Sequence, residues 1–258
     1  MKKFLFIISA LAAIVFTLMI TVSCRNKAKA VTIAVSNNNV KGSVLMELFT
    51  SQGCSSCPPA DELLGKYAMG QDDHIIPIAF HVDYWNRLGW KDSFSMASYS
   101  QRQRDYAAYL SSDGVYTPQV ILNGQKEMVG SDEEKIAAAI GILLKEPSTA
   151  TVSINTTAVA NDKVNVSANI SGSKAGLVIN AALIEKKVMT HIKAGENSGV
   201  KLWNYNVVRD FKTAEANEAT ANFQLEFPSG KAATEYSVVV FLQDKKSGKI
   251  FSAVKKNL

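Results

Sequence analysis

Apolar and polar positions along the 258-residue chain fall into two textures that meet near residue 147. In the first, short continuous apolar runs alternate with helical periods. Val44-Leu45-Met46-Glu47-Leu48-Phe49 reads as a buried strand, and Leu63, Leu64, Tyr67 and Ala68 mark a helix over 57–69, closed by Gly70. A second buried strand is expected over 75–83, followed by an aromatic loop, Tyr84-Trp85-Asn86-Arg87-Leu88-Gly89-Trp90. Then come a polar helix over 94–110, a strand over 120–125 whose Asn123-Gly124 signals a hairpin turn, and a returning strand over 126–129. Ser131, with Glu134 three residues on, forms a capping box for a last helix that ends before Pro147.

From residue 150 onward no helical period intervenes. Seven β-rich segments follow, over 151–157, 163–170, 177–184, 202–209, 221–227, 235–242 and 250–254, separated by turn signals such as Asn161-Asp162 and Ser171-Gly172. Alternation at Val164, Val166, Ala168 and Ile170 predicts a sheet with one buried face. Seven such strands in about a hundred residues indicate a β-sandwich. The expected architecture is an α/β domain over 42–147 followed by an all-β sandwich domain over 148–258.

The N-terminus changes the setting. Met1-Lys2-Lys3 precedes an apolar run from Phe4 to Ile20, the pattern of a secretory signal peptide, here assigned to 1–23. Thr21-Val22-Ser23-Cys24 resembles the lipobox of bacterial lipoproteins, which implies lipidation of Cys24 and a tether over 24–41. An uncleaved anchor, or cleavage without lipid, are the alternatives. The expectation is an exported lipoprotein anchored in the membrane through its N-terminal lipid, at the periplasmic or outer-membrane face. Within the polar, Asn-rich tether, Val31, Ile33 and Val35 read at most as one edge strand. Composition is that of a globular protein, 47% hydrophobic and 20% charged. Without Lys2 and Lys3 the formal charge falls from +5 to +3, too mild for nucleic acid, and no basic stretch is interleaved with aromatics. Nucleic acid is therefore excluded as a partner.

Assigning Cys24 to the lipid leaves one pair, Cys54 and Cys57, in an oxidising compartment. They are spaced C-x-x-C where a strand turns into a helix. Unpaired N–H groups and the helix dipole concentrate positive potential there, which stabilises a thiolate. Cys54 can then attack a disulfide, and Cys57 can resolve the mixed disulfide. Asp61 and Glu62 in the first turn suit the dipole but oppose the lowered thiol pKa. A structural zinc site would want a second Cys or Cys/His pair, and no cysteine lies downstream; a structural disulfide remains the other reading.

Other candidates carry two readings each. His81 shares a strand face with Asp83; it either completes a copper(I) site with the two thiolates or is a hydrogen-bonded core histidine. Trp85 and Trp90 either wall a substrate site or cover the core. Arg102 and Arg104, two apart on a helix, point in different directions, so one is an ordinary solvated charge. Glu196, Asn197, Asn206 and Arg209 form the most polar cluster of the second half; they pair across strands or contact the first half.

The order strand, C-x-x-C, helix, strand, helix, Thr117-Pro118, strand, hairpin strand, helix resembles the thioredoxin fold. More narrowly, Glu47 to Asp61, Phe80-His81-Val82-Asp83-Tyr84-Trp85-Asn86, Arg102-Gln103-Arg104 and Val115-Tyr116-Thr117-Pro118-Gln119 resemble one family of secreted, thioredoxin-like bacterial proteins of unknown function. Gly195-Glu196-Asn197 and Asn206-Val207-Val208-Arg209 extend the likeness into the second half. The resemblance implies Cys54 as attacking thiol, Cys57 as resolving thiol, and a cis Pro118 facing them. It also implies Thr117 as a source of backbone groups for an extended substrate and Glu47 as a buried proton acceptor beneath the dithiol. Trp85 is taken as a substrate contact. The function expected is thiol–disulfide exchange with protein or small-molecule thiols and disulfides, needing no cofactor and no resident metal. Copper(I) handling, or a non-catalytic periplasmic binding protein with a structural disulfide, are the rivals.

Overall fold

The structure, a computed structural model, describes residues 42–258 apart from residue 229. The expected signal peptide, lipidated Cys24 and tether lie outside the described residues. The first half supplies β1 (Val44–Thr50), α1 (Pro58–Met69), β2 (Ile75–His81), α2 (Ala97–Leu110), β3 (Gln119–Leu122), β4 (Lys126–Val129) and α3 (Glu133–Leu143). The second half supplies β5 (Ala150–Ala160), β6 (Lys163–Gly172), β7 (Leu177–His191), β8 (Lys201–Glu215), β9 (Thr220–Glu226), β10 (Tyr236–Asp244) and β11 (Ile250–Asn257).

Element order follows the apolar pattern, and all three helices start later than expected, α2 at Ala97 rather than at 94. α1 opens at Pro58 because Cys57 is αR (φ −79°, ψ −35°) although a proline follows it, a combination the proline ring disfavours. The Cys57 carbonyl accepts from Ala60 N at 2.9 Å and Asp61 N at 3.1 Å, and these two helical bonds offset the local preference. α3 is capped by Asp132 rather than Ser131: its side chain accepts from Lys135 N, and a carboxylate also suits the dipole.

The strands form an eight-stranded sheet, ordered β11-β10-β7-β8-β2-β1-β3-β4, and a three-stranded sheet, β5-β6-β9. The larger sheet thus draws four strands from each side of residue 147. The seam is a short parallel pairing of β2 with β8, centred on Ala79 and Val207. Asn206, at φ 47°, seals it by donating from Nδ2 to Pro77 O at 2.8 Å. β7, β8, β10 and β11, expected in a free-standing sandwich, therefore continue a mixed α/β sheet. β5, β6 and β9 face them as a separate layer.

Strand parity distributes the core. On β1, Leu45 and Phe49 point to a cluster with Tyr99 and Tyr106 of α2, while Met46 and Leu48 point to Leu63 and Leu64 of α1 and Ile136 and Ile140 of α3. On β10, Val239 and Phe241 join the α2 cluster, whereas Val238 and Val240 meet Val164 and Val166 of the small sheet. Strands buried on both faces explain the continuous apolar runs. α2 is the element both halves cover, since its cluster takes Phe80 from β2, Val208 from β8 and Phe241 from β10.

Candidate functional site

At the end of β1 the chain turns through Ser51-Gln52-Gly53-Cys54, held by Cys54 N to Ser51 O (3.1 Å) and Gly53 N to Ser51 Oγ (3.1 Å). Cys54 and Cys57 are joined in a disulfide with Cα atoms 5.4 Å apart. Both residues are 0% exposed, whereas Ser55 and Ser56 between them face solvent. The Thr117–Pro118 peptide is cis. Thr117 O lies 3.9 Å from Cys54 Sγ and accepts from Ser56 Oγ at 3.5 Å. Trp85 Nε1 donates to Thr117 Oγ1 at 2.8 Å, which fixes the indole beside the turn. Cys54, Cys57, Thr117, Pro118 and Trp85 are thus brought to one end of the large sheet.

Glu47 is not among them. It lies three residues before Thr50 on β1, hence on the opposite face, and is fully buried under α2. Arg102 Nε donates to Glu47 Oε1 at 2.7 Å, and the Tyr106 hydroxyl donates to Oε2. Arg102 is enclosed by the rings of Phe80, Tyr106, Phe211 and Phe241, 5.0–5.5 Å from the guanidinium carbon. Arg104 is the exposed partner of the pair and bonds only Gln101.

The buried acid on the dithiol's side of the sheet is Asp61. It stands one helical turn after Cys57, and its carboxyl group faces Thr50, His81, Asp92 and Asn204. Asp61 is 4% exposed and accepts from Thr50 Oγ1 at 3.0 Å on Oδ2, and the Asn204 amide lies beside its carboxyl group. Burial pushes its pKa up to about 7; His81 and the Thr50 bond oppose this, and Asp92 reinforces it. His81, at the end of β2, holds Asp92 Oδ2 through Nδ1 at 2.7 Å, both side chains being fully buried. Burial pulls the imidazole down, but the Asp92 charge and hydrogen bond outweigh it and leave the pKa raised. Burial raises Asp92 as well, yet His81 and the amides of Gln52 and Phe94 carry it below the usual carboxylate range. An ionised His81–Asp92 pair therefore lies beside a carboxyl group poised between its two forms.

The second half completes the site. Asn197 Nδ2, in the β7–β8 loop, donates to Gln52 O (2.9 Å) and Cys54 O (3.0 Å), and Glu196 Oε2 accepts from Ser55 N at 3.0 Å. Gln52 is the hub between the halves. Its N–H goes to Asp92 Oδ2 (2.8 Å), its Nε2 to Thr190 Oγ1 (2.9 Å) and Asn204 Oδ1 (3.2 Å), and its Oε1 accepts from Trp90 Nε1 (3.1 Å). Glu196 and Asn197 carried a sequence signal as part of a polar cluster, whereas Arg209 pairs with Glu185. Gln52, Asp92, Thr190 and Asn204 did not stand out. The available signal was Asn204 and Asn206 alternating with apolar Leu202 and Val208 on the inward face of a strand, where polar groups need a partner. Among the described residues no cluster of three or more His, Cys, Asp or Glu is placed to hold a metal, and His81 Nδ1 is committed to Asp92.

The profile of a protein family of unknown function, DUF1223, matches residues 45–243. The chain belongs to the DUF1223 family. That match runs through both halves and ends within β10, so the family's unit is the joined sheet rather than the C-x-x-C half alone. A crystal structure from Agrobacterium tumefaciens is similar at 30% identity and a TM-score of 0.62, covering 83% of this chain and 93% of that one. HBP35 of Porphyromonas gingivalis is similar in fold at 17% identity and a TM-score of 0.57, covering 84% of this chain and 76% of that one. No functionally curated protein matches the sequence.

Proposed function

We propose that this DUF1223 protein is an exported, lipid-anchored thiol–disulfide oxidoreductase of thioredoxin-like type, acting on protein or small-molecule disulfides through Cys54 and Cys57. One observation carries the reading. The Cys54–Cys57 disulfide sits at a helix mouth with a buried carboxyl, Asp61, one turn further on. In the reduced protein the Cys54 thiolate attacks a substrate disulfide, forming a mixed disulfide and releasing one thiolate, which takes a proton from water. Cys57 then loses its proton to Asp61 and attacks Cys54 Sγ, closing the intramolecular disulfide and expelling the second thiolate. Two electrons pass to the substrate; the reverse sequence oxidises a dithiol. Thr117 O and the Trp85 indole, adjacent to Cys54, are the groups an extended substrate would meet first. The signal and lipobox pattern at residues 1–24 supports export and anchoring.

The complete burial of both cysteines favours a second reading, a binding protein whose disulfide is a permanent staple. Trapping separates the two. Under the first reading the disulfide opens with dithiothreitol in the native protein, Cys57→Ser accumulates mixed disulfides with an added disulfide substrate, and Cys54→Ser accumulates none. A disulfide that opens only on denaturation, with no conjugate on Cys57→Ser, establishes the staple instead.

A further inference from the structure

The carboxylate of Glu196 accepts from the N–H of Ser55, the residue next to Cys54. Ser55 lies two residues before the Cys57 N-cap of α1, so its amide is outside the helix's own first turn. Glu196 Oε2 accepts from that amide at 3.0 Å, reaching it from the loop between β7 and β8, 141 residues further along the chain. Asn197 fixes the same loop by its two bonds to Gln52 O and Cys54 O, and Gly195 packs against Trp90. The other titratable groups near the dithiol are the exposed Glu62 and buried Asp61 in the first turn of α1 and the buried His81–Asp92 pair. Glu196 lies on the solvent side, and its hydrogen bond to Ser55 holds its pKa below the ordinary carboxylate value.

We propose that Glu196 is a positioning residue that sets the redox poise of the Cys54–Cys57 pair, by placing a negative charge where the Cys54 thiolate forms. The inference rests on the oxidoreductase reading above. The sign follows from electrostatics. A nearby anion destabilises the thiolate, so Glu196 raises the Cys54 pKa. At neutral pH the reduced form is the one that carries that thiolate, so the disulfide gains relative to the dithiol and the pair becomes more strongly reducing. In the exchange of the protein disulfide with two glutathione molecules, giving the dithiol and one glutathione disulfide, Glu196 shifts the balance toward the protein disulfide.

The experiment uses the exported protein with its full β7–β8 loop. Glu196→Gln keeps an acceptor oxygen for Ser55 N while removing the charge, and Glu196→Ala removes both. Two quantities are read: the pH dependence of Cys54 alkylation by iodoacetamide in the reduced protein, and the equilibrium with glutathione redox buffers. In Glu196→Gln the Cys54 pKa is expected to fall, and the equilibrium to move threefold to tenfold toward the dithiol. A tenfold change corresponds to a reduction potential higher by about 30 mV. Added salt should move the wild type toward the variant, because an exposed charge is screened. Unchanged pKa and equilibrium in Glu196→Gln, with a shift only in Glu196→Ala, overturn the electrostatic role in favour of loop positioning, while the oxidoreductase reading stands. A disulfide that glutathione and dithiothreitol cannot open in the folded protein overturns that reading, and this inference with it.

Discussion

Asp61 is the residue whose environment departs furthest from its surroundings in sequence. Next to Glu62 in a first turn it looks like an exposed dipole partner, yet it is buried with a pKa near 7. Folding therefore makes this group hold its proton where the unfolded chain has lost it. Its contribution to stability is fully present below its ordinary value of 3.8 and is lost as pH rises toward about 7. At 1.36 kcal/mol for each unit, that loss amounts to about 4 kcal/mol. The raised His81 pKa works in the same direction at higher pH, above the usual imidazole value of 6.5. Urea denaturation of the oxidised protein from pH 4 to pH 7 should show stability falling in the wild type and nearly flat in Asp61→Asn. Parallel curves would place Asp61 in contact with water. No local rule reveals this burial; it depends on Thr50, His81, Asp92 and Asn204 closing around the helix start from three other parts of the chain.

At the scale of elements, α2 shows how a polar pattern can hide an anchor. Its sequence, Ala-Ser-Tyr-Ser-Gln-Arg-Gln-Arg-Asp-Tyr, reads as a solvated helix, and the face carrying Arg104 is one. The opposite face buries Tyr99, Gln103 and Tyr106 and drives Arg102 into the sheet. The Arg102 guanidinium bonds Glu47 on β1, Tyr106 on its own helix and Gln243 on β10, so one cation ties α2 to strands from both halves. Removing it strands the Glu47 charge. Arg102→Ala should cost about 3–5 kcal/mol in urea denaturation, as breaking a buried pair does, and Arg102→Met with Glu47→Leu should recover most of that loss. A cost under about 1 kcal/mol would mean that water reaches Glu47 as it reaches a surface pair.

For the whole molecule the decisive fact is that one sheet crosses the position where the texture of the sequence changes. Phe80, Val208 and Phe241 share one core cluster, and Gln52 is bonded from both halves. A chain cut after residue 147 would expose the β2 edge and the apolar face of α2, and would leave Gln52 and Asp61 without Thr190, Asn204 and Asn197. Residues 42–258 should therefore unfold in one transition followed equally by far-ultraviolet circular dichroism and by the fluorescence of Trp85, Trp90 and Trp203. Residues 42–147 alone should be loosely packed and bind a hydrophobic dye. Two separated transitions, or a well-packed 42–147 fragment, would restore independent domains.

Most elements were legible in the sequence because they are set locally. Apolar runs of period 2 or 3.6 placed all seven second-half strands and the three helices, although β7 and β8 run on to His191 and Glu215, well past their expected ends at 184 and 209, and Asn123-Gly124 marked its turn through two positive φ values. The cysteine pair was legible from its short-range spacing, whereas the cis Thr117–Pro118 bond was expected only through the family resemblance. What the tertiary structure alone decided was which buried acid lies near the dithiol, which arginine is an anchor, and how the strands are shared between sheets. Those outcomes turn on which face of a strand meets which face of a helix, and on contacts up to 152 residues apart between Gln52 and Asn204. Glu47, on the α2 face of β1, meets Arg102, whereas Asp61, on α1 against the opposite face, meets Thr50 and stands one turn after Cys57.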